Sequence, residues 1–86
     1  MTNDTIYLVN DIIDSYVTNS LYDEAGHNFE AEYHDHLVFS IMNNQGSSLR
    51  AFESTVYDIV ERIESHGIRV FDVRVDSGGA VIETSK

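Results

Sequence analysis

An α+β fold with a mainly antiparallel sheet is predicted by three features of this chain. Residues 4–22 and 48–66 carry apolar side chains at three- and four-residue spacing, the period of an amphipathic helix. Residues 29–42, 68–75 and 80–84 alternate between apolar and polar or run short and β-branched between turn residues, the mark of strands. The length of 86 residues makes one domain, 1–86, with a small core. A chain of this size buries only ~60–65% of its unfolded surface. The predicted order is therefore α-β-α-β-β: two helices on one face of a sheet of three strands, or four if residues 29–42 fold as a hairpin.

In the first helix Ile6, Val9, Ile13, Tyr16 and Val17 form the apolar stripe, widened by Leu8 and Ile12. Asn3 or Asp4 can cap its start, where an acid also suits the positive end of the helix dipole. At 100° per residue Asp4, Tyr7, Asp11, Asp14 and Thr18 share the opposite face, so an aromatic ring stands among carboxylates on the solvent side. Residues 23–28, DEAGHN, read as a loop in which Gly26 ends the helix or makes the turn.

The stretch FEAEYHDHLVFSIM, Phe29–Met42, runs fourteen residues without Gly, Pro or Asn. Phe29, Ala31, Tyr33, Asp35, Leu37, Phe39 and Ile41 fall on one side. Glu30, Glu32, His34, His36, Val38, Ser40 and Met42 fall on the other. A two-residue hairpin turn near Asp35 would mix these sets, and no Gly or Asn is present there to supply the positive φ that tight hairpins favour. One long strand, bent or bulged near Asp35, is the preferred reading.

NNQGSS at 43–48 is turn chemistry, with Ser47 or Ser48 as N-cap of the second helix. That helix carries Leu49, Phe52, Val56, Ile59, Val60 and Ile63 as a continuous stripe, and Asp58 stands four residues before Arg62, a favourable pair. Gly67 fits the C′ position, after which Ile68 can fold back onto the helix. In IRVFDVRV, residues 68–75, Phe71, Val73 and Val75 share a face against Asp72 and Arg74. Asp76-Ser77-Gly78-Gly79 is a turn, and AVIET at 80–84 closes the sheet. A split β-α-β arrangement follows, with the closing strand between its two predecessors and a right-handed crossover. The hairpin alternative would make two α-β-β units, although the halves show no convincing sequence repeat.

Charge is the strongest compositional signal. Fifteen acids face five bases, a formal −10, and residues 1–49 hold eight acids with no Lys or Arg. Such a field repels nucleic acid and membrane surfaces and attracts basic partners. Four Ala against eight Ile and six Asn do not suit a halophilic composition, and in so Ile- and Asn-rich a chain the single Lys, at position 86, points to acidity serving binding as well as solubility. The absence of Cys removes disulfides and thiolate metal sites. MTNDTIYLVNDIID has neither a basic leader region nor a long apolar run, which leads us to expect a cytoplasmic protein, or one acting in a host cytoplasm if phage-encoded.

Glu30, Glu32, His34 and His36 form the one metal-like cluster. A His-x-His pair can chelate Zn²⁺, but residues spaced ~6.6 Å apart along one strand cannot all surround an ion, so His34 and His36 are weak candidates. No nucleophile elbow, phosphate-cradling loop, Cys nucleophile or dinucleotide fingerprint occurs, so neither an enzyme nor a cofactor is expected. Direct nucleic-acid binding needs a basic patch that the scattered arginines do not make.

The expectation is a small acidic interaction protein that blocks a basic partner such as a nuclease or nucleic-acid-binding complex. Asp4, Tyr7, Asp11, Asp14, Asp23, Glu24, Glu30 and Glu32 are its contact candidates. Small acidic anti-restriction and anti-CRISPR proteins inhibit in this way by imitating nucleic acid, and toxin-neutralising immunity proteins act comparably. That comparison rests on size and charge alone. The alternative is a structural or regulatory domain that forms a homodimer through a free sheet edge or a helix stripe.

Overall fold

A computed structural model describes residues 4–17, 27–33, 36–43 and 46–86, with the backbone but not the side chains of 27–33. Helix α1 spans Asp4–Val17, strand β1 His27–Tyr33, β2 His36–Met42, helix α2 Leu49–Ser65, β3 Val70–Asp76 and β4 Gly79–Ser85. All neighbouring strands are antiparallel, in the order β1-β2-β4-β3. The class is α+β, as the periodicities indicate, and β4 lies inside the sheet where the split β-α-β reading puts it.

The expectation of one long strand over 29–42 is corrected to a hairpin. Tyr33 pairs with His36, leaving residues 34–35 between the paired positions, and further along Glu30 pairs with Val38 and Phe29 with Phe39. From the tip, β2 advances two positions while β1 advances three. The extra residue is a β-bulge, and one inserted residue reverses which face the rest of the strand presents. A two-residue turn was unfavourable because it mixes apolar and polar sets; the bulge shifts the register so that Phe29 lies opposite Phe39.

The core lies on one face of the sheet. Leu37, Phe39 and Ile41 of β2 are buried opposite Thr84, Ile82 and Ala80 of β4. Val9, Ile12 and Ile13 of α1 join the same cluster with Phe52, Val56, Ile59, Val60 and Ile63 of α2. Both helices thus cover that face, packing against one another. Two stripe positions lie outside the core: Leu49, in the first turn of α2, and Tyr16, at the stripe's edge, are both exposed.

The boundaries of α2 follow its sequence. Ser48 caps it, its Oγ accepting from Ala51 N at 3.2 Å. Gly67 takes φ +82°, a left-handed conformation that stops the helix, and Ile68 turns back into the core. Asp58 and Arg62 form no ion pair in the structure, so α2 stands on its buried stripe and its caps.

β3 differs from expectation at Phe71. Val70 pairs with Thr84 and Asp72 with Glu83, which makes Phe71 the extra residue of a second bulge. The bulge turns Phe71 out of the core row of Val73 and Val75, leaving its ring 43% exposed. In the turn that follows, Asp76 Oδ1 accepts from Gly78 N at 2.8 Å and Gly79 N at 3.1 Å.

Gly79 is required for a steric reason. A Cβ there would lie 2.6 Å from the carbonyl oxygen of Ile41 in the central strand. Overpacking of this kind costs ~1–3 kcal/mol. Gly79→Ala is expected to lower the urea midpoint accordingly, without changing the m-value.

Asn43 ties the β2–α2 connection to the β3–β4 turn. Its Nδ2 donates to Ser47 O at 2.8 Å and Ser77 O at 3.0 Å, and its Oδ1 accepts from Ser47 N at 3.1 Å. Its backbone N–H donates to Gly78 O at 3.1 Å. Asn43→Ala removes three side-chain bonds, at ~0.5–1.5 kcal/mol each before solvent replaces the exposed ones. Chemical denaturation is expected to show a loss of ~1–3 kcal/mol, whereas Asn43→Ser recovers part of it.

Candidate partner-binding surface

The solvent side of α1 is set by the burial of its other side. With Val9, Ile12 and Ile13 turned into the core, Asp4, Tyr7 and Asp11 face out, and Tyr7 is 62% exposed. Asp4 and Asp11 stand ~10 Å apart along the axis at 1.5 Å per residue, with the Tyr7 ring between them. Asp14, assigned to the same face, is half-buried at its flank. Asp23, Glu24 and His34 lie outside the described residues. Glu30 and Glu32 belong to β1, with Glu30 opposite Val38, and their side chains also lie outside the described part.

The structure adds a second contributor that the chain's front half had overshadowed. α2 lies beside α1 in the same layer and exposes Glu53, Asp58, Glu61 and Glu64, with Tyr57 50% exposed among them. None of these carboxylates forms an ion pair among the described residues. Arg50 and Arg62 on α2 temper that helix, while α1 carries no base at all. Acid–tyrosine–acid spacing on α2 was visible in the sequence as Glu53, Tyr57 and Glu61, one helical turn apart.

The other face of the sheet is different in kind. Ring centroids of His36 and Phe71 lie 4.0 Å apart and nearly parallel, and the Arg69 guanidinium sits 5.4 Å from the Phe71 centroid. His36 Nδ1 is hydrogen-bonded to a carboxylate oxygen of Glu83, and Arg74 Nε donates to Asp72 at 2.9 Å. Met42, Val81 and Phe71 are exposed around these pairs. Among the described residues of this face acidic side chains are paired with basic ones, as they are not on the helical layer. Among the described residues no three His, Asp or Glu side chains converge to hold a metal ion, and His36 is engaged with Glu83 and Phe71. No described helix is long and apolar enough to cross a membrane.

No protein-family model matches this chain, and neither a curated protein nor a solved structure shows a significant match to it.

Proposed function

We propose that this protein is a non-enzymatic, cytoplasmic interaction protein that occupies a basic, nucleic-acid-binding surface of another protein and so competes with nucleic acid for it. One observation carries this reading. The outward face of α1 sets the exposed carboxylates Asp4 and Asp11 around the exposed ring of Tyr7, in a half of the chain that has no Lys or Arg. Carboxylates at intervals along a rigid helix can neutralise the Lys and Arg of a nucleic-acid channel, and an exposed Tyr supplies contact area at low entropic cost. The four exposed carboxylates of α2 extend the same field.

The test has two arms, competition by nucleic acid at constant ionic strength and a separate salt titration. Partner held on immobilised protein is expected to be released by duplex DNA or RNA, and to be released by raising salt from 50 to 500 mM. Retention that ignores both would remove nucleic-acid mimicry and favour a neutralising protein of the immunity type.

A second reading is supported by the charge-paired sheet face with Phe71, Met42 and Val81 exposed: a homodimer through that face. Sedimentation over a hundredfold concentration range decides it, with a constant monomer mass excluding the dimer.

A further inference from the structure

We infer that the chain is one α-β-β unit used twice, and that the surface each unit turns to the other is a pairing surface whose natural partner is a second unit of the same build. Adding 43 to each residue number carries β1 (27–33) onto β3 (70–76) and β2 (36–42) onto β4 (79–85), matching both ends of each strand. The same shift places α1 over α2 in chain order. In space, the order β1-β2-β4-β3 with antiparallel β2 and β4 is what a two-fold axis through the centre of the sheet produces. That axis passes through one residue pair. Phe39 shifts onto Ile82, and Ile82 is also its partner in the ladder.

Detail repeats as well as topology. Each hairpin leaves two residues between its last paired positions, Tyr33↔His36 and Asp76↔Gly79. Each outer strand also carries one bulge, but at different places: between Glu30 and Tyr33 near the hairpin tip in β1, and between Val70 and Asp72 at the far end of β3. Val9 and Phe52, Ile13 and Val56, Leu37 and Ala80, Phe39 and Ile82, and Ile41 and Thr84 are equivalent positions, and all of them are buried. Only Val17/Val60 and Val38/Val81 are identical at this offset, which is why no repeat is legible in the sequence.

The charge boundary coincides with the unit boundary. Residues 1–43 hold eight acids and no base, and residues 44–86 hold seven acids and five bases. The two units have kept one pairing surface, made of the β2–β4 ladder and the α1–α2 contact, and diverged on the outside. This inference stands apart from the proposed function, because it concerns the seam and not the acidic face.

The test is to cut the connection. A protease site inserted between residues 45 and 46, beside the exposed Gly46, leaves the uncut variant as its own control. After cleavage the two fragments are expected to co-elute one to one at the intact mass and to keep the circular dichroism spectrum of the uncut variant. Fragments that separate at micromolar concentration, or that lose that spectrum, overturn the inference. Should the inserted site itself prevent folding, a circular permutant decides. Starting at residue 44, ending at 43 and joining Lys86 directly to Met1 places six residues between Ser85 and Ile6, as many as separate Met42 from Leu49. The permutant is expected to recover the native spectrum and a cooperative unfolding transition; an unfolded permutant contradicts equivalent units.

Discussion

Phe39→Ala is expected to remove ~3–5 kcal/mol of stability, the largest loss of any single core truncation in the sheet. Phe39 is fully buried at the centre of the sheet, paired with Ile82 in β4 and with Phe29 in β1. Removing a buried Phe side chain costs ~3–5 kcal/mol, the lost transfer energy plus the cavity. A domain of this length has a total stability of roughly 4–13 kcal/mol at ~0.05–0.15 kcal/mol per residue. One substitution therefore takes a large share of the whole. Phe39→Leu keeps most of the volume and is expected to cost less than half as much. Urea unfolding followed by circular dichroism measures both. Near-equal midpoints for the two variants would mean that the core is not centred on the β2–β4 ladder.

Neutralising acidic candidates on α1 and β1 is expected to weaken partner binding and leave the fold intact. Asp4→Asn and Asp11→Asn act on exposed residues of α1, and Glu30→Gln and Glu32→Gln extend the change into β1. Asp14 is left out because it is half-buried, so its substitution would mix structural and binding effects. At ~0.2–1 kcal/mol per exposed charge pair, the four changes together weaken binding roughly fourfold to several hundredfold. The association rate should fall most, since exposed charges steer encounter more than they hold the complex. Tyr7→Ala tests the non-electrostatic share and should raise the dissociation rate with little change in salt dependence. An unaltered thermal unfolding midpoint in each variant separates these effects from destabilisation.

Much of the fold was legible because it depends on periodicity. The stripes of α1 and α2, the Ser48 cap, the Gly67 stop, the return of Ile68 and the internal position of β4 all follow from residue type at fixed spacing. What the periodicity misreads is parity. At Glu30–Tyr33 and at Val70–Asp72 a single extra residue flips the face of a strand, converting one apparent long strand into a hairpin and moving Phe71 from core to surface. A bulge has no residue signature of its own, because it is fixed by which register buries more apolar surface across the sheet. The two-unit symmetry stayed hidden for a related reason. It is carried by burial and pairing, which different side chains satisfy equally well, as Leu37 and Ala80 or Ile41 and Thr84 show. On the candidate surface, the exposure of Asp4, Tyr7 and Asp11 followed from helical phase. The half-burial of Asp14, the engagement of His36 with Glu83 and Phe71, and the added field of α2 required the tertiary arrangement.

The most direct measurement of the central claim is whether the partner can hold this protein and nucleic acid at once. With the captured partner and a fluorescent duplex, nucleic-acid occupancy is followed as the protein is added, at fixed ionic strength. Occupancy is expected to fall in step with complex formation, and the variant carrying Asp4→Asn, Asp11→Asn, Glu30→Gln and Glu32→Gln should need at least about fourfold more protein to produce the same fall, the lower bound of ~0.2 kcal/mol per pair. A ternary complex that retains the duplex while this protein is bound would contradict the claim.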